Sequence, residues 1–178
     1  MKKMLIALLM VCLMAIPFSA MAEAAVELPS LNWDDIAALV ADIPGDFVSS
    51  EDLGVKFWMP DVLQPAELPQ IDTDAFQMLN LYATEDGSAS LGVSMSAMGD
   101  DIAAYCNLLA EEGGASNFEE LWINGLYAIS YDVAENDAAV VCFPRDDGTV
   151  LSFMMSPLSD EGFASLVAIM MASFQSVD

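Results

Sequence analysis

The 178-residue chain contains no histidine. Its absence removes the side chain that most often moves protons near neutral pH. His-based triads, Cys/His dyads and His-ligated zinc or haem are therefore excluded in their usual forms. Cations are scarce as well, with four Lys and Arg against 28 Asp and Glu. Such a surface offers no footprint for nucleic acid, whose phosphates need Lys and Arg, and it is repelled by anionic lipid and wall polymers. The three cysteines, at positions 12, 106 and 142, are too few for a Cys₄ zinc site. No G-x-x-x-x-G-K loop and no G-x-G-x-x-G segment after a strand is present, so the common phosphate cradles are missing too.

What the chain does have begins with its first residues. Lys2 and Lys3 precede an apolar run from Met4 to Phe18, followed by Ala20, Met21 and Ala22. This is the pattern of a secretory signal peptide over residues 1–22, with cleavage expected after Ala22. Pro17 and Ser19 close the run before the roughly 20 apolar residues of a membrane span. Cys12 follows Met10 and Val11 rather than small residues, which speaks against a lipoprotein. The expected product is a secreted or periplasmic chain outside a bacterial cytoplasm, with no transmembrane segment once the signal is gone. Residues 23–178 would form a single domain of ordinary size. Lys56 and Arg145 are the cations that remain against the 28 acids, a net of −26.

The acids are spread in pairs, among them Asp34/Asp35, Glu119/Glu120 and Asp146/Asp147. Dispersed pairs read as solvated turns and helix ends, a solubility device, rather than as a disordered tail. The competing reading is a surface for cations or for a basic partner. For calcium, the best local clusters are Asp72/Asp74 and Asp146/Asp147 with Gly148, although neither completes an EF-hand loop and turn chemistry accounts for both. An oxidising exterior would let Cys106 and Cys142 pair as a disulfide; otherwise they are buried thiols acting as small hydrophobes. Trp58, Trp122 and Tyr82 fall on expected strands and read as packing residues. Trp122, beside a turn, is the aromatic placed for surface contact. Thirteen methionines could suggest soft ligands for copper, but they lie in the signal and in apolar segments, where packing explains them.

Hydrophobic periodicity supplies the order of elements. Asn32 should cap a helix stopped by Pro44 and Gly45. Short strands follow around Phe47 and over Val55–Met59, then irregular chain from Asp61 to Leu68. Phe76–Ala83 and Ser88–Ser96 flank a Thr84–Gly87 turn. A helix from about Asp100 to Glu112 places Ile102, Cys106 and Leu109 on one face and ends at Gly113-Gly114. Leu121–Ile123 and Tyr127–Val133 meet at Asn124-Gly125, the pair suited to a type I′ turn. Ala138–Phe143 and Thr149–Met155 meet through Asp146, Asp147 and Gly148. After Pro157, with Ser159 as expected cap, Phe163, Leu166, Val167, Met170 and Phe174 make an apolar helical stripe. Helices set among three antiparallel hairpins give an α+β fold, a mainly antiparallel sheet with helices packed on its faces.

This order resembles the PsbP-like superfamily, which includes lumenal photosystem II extrinsic proteins and bacterial DcrB-type lipoproteins. The residues that carry the resemblance are Gly54-Val55-Lys56-Phe57-Trp58-Met59-Pro60, Asn124-Gly125-Leu126-Tyr127-Ala128-Ile129-Ser130-Tyr131 and the terminal Ala172-Ser173-Phe174. The resemblance implies a PsbP-like sandwich and a non-enzymatic accessory or interaction role. It carries over no catalytic or cofactor-binding residue, because these matches are structural positions.

The function expected is therefore that of an exported acidic binding or accessory protein, its partner an unknown protein or small ligand, with no cofactor and no nucleic acid. Two other classes remain open. Two converging carboxylates could run a hydrolase, and a calcium-binding surface would suit the exterior.

Overall fold

The structure, a computed structural model, describes residues 27–51, 53–69, 72–73, 76–99 and 101–177. The expected signal and its cleavage point lie outside them. Along the chain come β1 (Ser30–Leu31), α1 (Trp33–Val40), β2 (Gly45–Ser50), β3 (Val55–Pro60), β4 (Gln64–Pro65) and β5 (Asp72–Thr73). Then follow β6 (Phe76–Ala83), β7 (Ser90–Ala97), α2 (Ile102–Glu112), β8 (Ala115–Ile123) and β9 (Leu126–Val133). A 3-10 turn at Ala134–Asn136 leads into β10 (Ala138–Pro144), β11 (Thr149–Ser156), α3 (Glu161–Ser173) and β12 (Gln175–Ser176). The helices and hairpins fall where periodicity and turn residues put them, and the fold is α+β.

The large sheet runs β1-β8-β9-β10-β11-β7-β6-β4, with β5 also paired to β6. Its pairings are antiparallel apart from β1 with β8. A second, antiparallel sheet, β12-β3-β2, is a layer of its own. Strand alternation sends Leu151 and Phe153 of β11 to one face and Val150 and Ser152 to the other. The first face meets α3 and the small sheet in the main core. There Phe174 packs its ring 4.5 Å from Phe153 and 5.1 Å from both Phe57 and Phe143, measured between centroids. The opposite face carries a smaller cluster under α2, in which Tyr105 is the helix's most buried residue, with Ile102, Cys106 and Leu109 packed around it.

Two polar side chains fasten the layers. Asn124 adopts φ +48° and Gly125 φ +84° at the β8–β9 turn, as a type I′ turn requires. The Asn124 Oδ1 accepts from the Trp33 backbone N–H at 2.7 Å, while Nδ2 donates to the carbonyls of Ala172 and Phe174 at 2.9 and 2.8 Å. One turn residue thus holds the start of α1 and the end of α3. The second is Ser173, fully buried, whose Oγ accepts from the Trp58 N–H at 2.8 Å and donates to the Met170 carbonyl at 2.7 Å, tying α3 to β3.

Four local expectations are corrected. Asp160, not Ser159, caps α3, its Oδ1 accepting from the Phe163 N–H at 2.8 Å. Ser159 instead donates its backbone N–H and hydroxyl to the Asp137 carboxylate. Asn32 takes the cap backbone conformation before α1 but makes no side-chain cap bond. The strand expected at Leu121 starts at Ala115, and the chain after α3 adds the short strand β12.

Candidate functional site

The β8–β9 hairpin brings three side chains of different chemistry to one face of the large sheet. Its register sets Trp122 opposite Tyr127 and Glu120 opposite Ile129, so Glu120, Trp122 and Tyr127 share a face while Glu119 and Leu121 take the other. The indole of Trp122 lies 5.7 Å from the Tyr127 ring in an edge arrangement. Tyr127 donates its hydroxyl to Glu120 Oε2 at 2.8 Å. Burial, then that carboxylate, hold the Tyr127 phenol well above its ordinary range, so it stays a neutral donor. Trp122 is 41% exposed, whereas Trp58 on β3 is 4% exposed and belongs to the core. A ring face and a carboxylate on one strand face have the chemistry to suit a cation.

The patch borders α2 at Cys106, whose thiol is pushed up by burial and next by Glu120. Cys142, fully buried on β10, is pushed up to about 12, again chiefly by burial. Both are free thiols in the same apolar cluster, where they behave as protonated small hydrophobes.

None of the other sequence candidates is part of this patch. In the β10–β11 turn, Asp147 Oδ1 accepts from the Thr149 N–H at 3.0 Å and its hydroxyl at 2.6 Å. Those two bonds hold its carboxyl below the usual range, the hydroxyl contributing most. This is turn chemistry that occupies one oxygen. The backbone of Asp72 pairs with Gln77, but the side chain of Asp72 and the whole of Asp74 lie outside what the structure describes. Among the described residues, no three His, Cys, Asp or Glu side chains gather in a group able to hold a metal. The Glu119/Glu120 pair is divided between the two faces of the sheet. Burial pushes the Glu119 carboxyl up.

Sequence reasoning singled out Trp122 and missed its companions. The signal was there: once Asn124-Gly125 is read as a two-residue turn, position 122 must oppose 127, and 120 lies on the diagonal to it.

The sequence matches no family model and no curated protein. Among solved structures, it is similar to the solution structure of cyanobacterial PsbP from Synechocystis sp. PCC 6803. That match has 15% identity and a TM-score of 0.53, over 78% of this chain and 95% of that one. The fold is PsbP-like. It is also similar to the Ran-binding protein Mog1p of Saccharomyces cerevisiae, at 16% identity and a TM-score of 0.41, over 77% of this chain and 97% of that one. Among the described residues, no helix is long and apolar enough to cross a membrane.

Proposed function

We propose that the chain is an exported, acidic, non-catalytic binding or accessory protein that works by presenting a surface to a partner. The observation that carries this reading is Trp122, held 41% exposed on a hairpin whose other large apolar side chains are buried or partly buried. Burying that indole on association is favourable in water and costs the isolated fold little, the energetic profile of an interface anchor. The signal pattern of residues 1–22 supports a partner outside the cytoplasm, and the PsbP-like fold supports an accessory role.

The test has two parts. Intact mass of the chain recovered outside the cytoplasm should correspond to a start at Glu23; retention of Met1–Ala22 would remove the export claim. Cross-linked recovery from the native envelope should then yield one partner in near-stoichiometric amount from the wild type and much less from Trp122→Ala. Equal recovery from both, or no stoichiometric partner at all, would refute a binding role through this surface.

A further inference from the structure

We infer that Trp122, Tyr127 and Glu120 form a receptor for arginine side chains, and that the partner docks through a basic protein segment. This rests on the binding role proposed above and names the partner's chemistry. Glu120 has one oxygen engaged by the Tyr127 hydroxyl, which orients the carboxylate and leaves Oε1 without a partner among the described residues. Among the described residues, neither cation forms an ion pair with it: Lys56 lies on β3 in the small sheet and Arg145 in the β10–β11 turn. A planar guanidinium can place its face on the indole of Trp122 while its N–H fork meets the carboxylate, a match that the compact ammonium of lysine fits less well.

Charge complementarity selects the source. Residues 23–178 carry 28 acids and two cations, a field that draws in basic chains and turns away phosphate-bearing polymers and anionic bilayers. On β8, the short β1 pairs with Trp122 and Ile123, and among the described residues no strand pairs with Ala115 to Leu121 on that side. The positive φ of Asn117, +57°, and the register shift between Ser116 and Glu119 keep that side from serving as a plain edge for strand addition. Recognition therefore falls to side chains.

The experiment measures binding of the exported protein to a capped peptide with four arginines spaced by Gly-Ser, by calorimetry at 0.05 and 0.15 M salt. A lysine peptide of equal charge and tetramethylammonium serve as comparison probes. The arginine peptide should bind several-fold more tightly than the lysine peptide. Trp122→Ala, which leaves the charge unchanged, should weaken it five- to tenfold, and Glu120→Gln by a similar factor. Asp34→Asn with Asp35→Asn, which removes two charges on α1, should change it less than twofold. Unchanged melting temperatures would show that the variants fold. If Trp122→Ala binds like wild type while each lost charge costs the same wherever it lies, attraction is diffuse and the receptor is refuted, though the wider binding role would stand. No measurable binding, or tetramethylammonium binding as tightly as the peptide, would also overturn it.

Discussion

Asn124 combines a backbone conformation that few residues accept with three hydrogen bonds to separate elements. Asn124→Ala would strain the turn at φ +48° and orphan the Trp33 N–H and two carbonyls at the end of α3. It should cost about 2–4 kcal/mol, since each unpaired buried group costs about 1–3 kcal/mol and these are partly wet. Asn124→Gly relieves the turn and keeps the orphaned groups, so in urea unfolding it should fall between the two. A loss for Asn124→Gly below about 0.5 kcal/mol would show that the three bonds contribute little. Two buried serines make an opposed pair. Ser173 Oγ is doubly bonded, so Ser173→Ala should cost about 1–3 kcal/mol by stranding the Trp58 N–H. Ser152 Oγ lies near the Tyr105 hydroxyl but does not meet it in hydrogen-bonding geometry, and among the described residues it is buried with no partner. Ser152→Ala should therefore be neutral or stabilising by up to about 1 kcal/mol, because it removes an unmet desolvation cost. Equal destabilisation by the two substitutions would contradict this account.

Among the elements, the hairpins are the most legible because their turns have chemical signatures, and the β6–β7 turn offers a direct test. Asp86 Oδ1 accepts from the hydroxyls of Thr84 and Ser88 and from the Ser88 N–H. These bonds, that from the Ser88 hydroxyl foremost, lower its carboxyl to about 2. A carboxylate whose folded value is depressed supports the fold above its unfolded value and stops doing so as pH falls through the folded one. The turn should thus persist through pH 3 and loosen near 2, read by NMR titration of the Asp86 carboxyl and of Ser88 amide exchange. Ser88→Ala should bring the midpoint part of the way back toward 3.8; a wild-type midpoint already near that value would refute the bonding. Where signatures are lacking, the sequence was less informative. The run Ser116-Asn117-Phe118-Glu119-Glu120 shows no apolar alternation because it holds the register shift of β8 and is exposed to half-buried, so its strand could not be read. Nor could the separate small sheet. The strands around Phe47 and over Val55–Pro60 read plainly and pair locally as β2 and β3, but β12 joins them only by pairing across 119 or more residues. The cap of α3 was misplaced by one because Ser159 and Asp160 are both good cap residues, and the long-range bonds of Ser159 to Asp137 decide between them.

At the scale of the whole molecule, a net −26 on residues 23–178 acts on folding and on recognition at once. Packing the charges into one compact domain raises their mutual repulsion, a cost that falls as salt shortens the screening length from about 30 Å at 0.01 M to about 10 Å at 0.1 M. Sodium chloride over that range should therefore raise the melting temperature. Calcium separates diffuse screening from a built site, because a ligand that prefers the native state stabilises by mass action beyond its ionic strength. Asp147 already gives Oδ1 to Thr149, and no described group of acids gathers as a metal cage. Low-millimolar calcium should then add little to the shift seen with sodium chloride at matched ionic strength. A calcium-specific rise abolished by Asp146→Asn with Asp147→Asn would overturn this and make the β10–β11 turn a metal site. The opposite response is expected of partner binding: salt should weaken an arginine-bearing segment at the Trp122 patch over the same range in which it stabilises the fold, because the charge that opposes folding is the charge that attracts the partner.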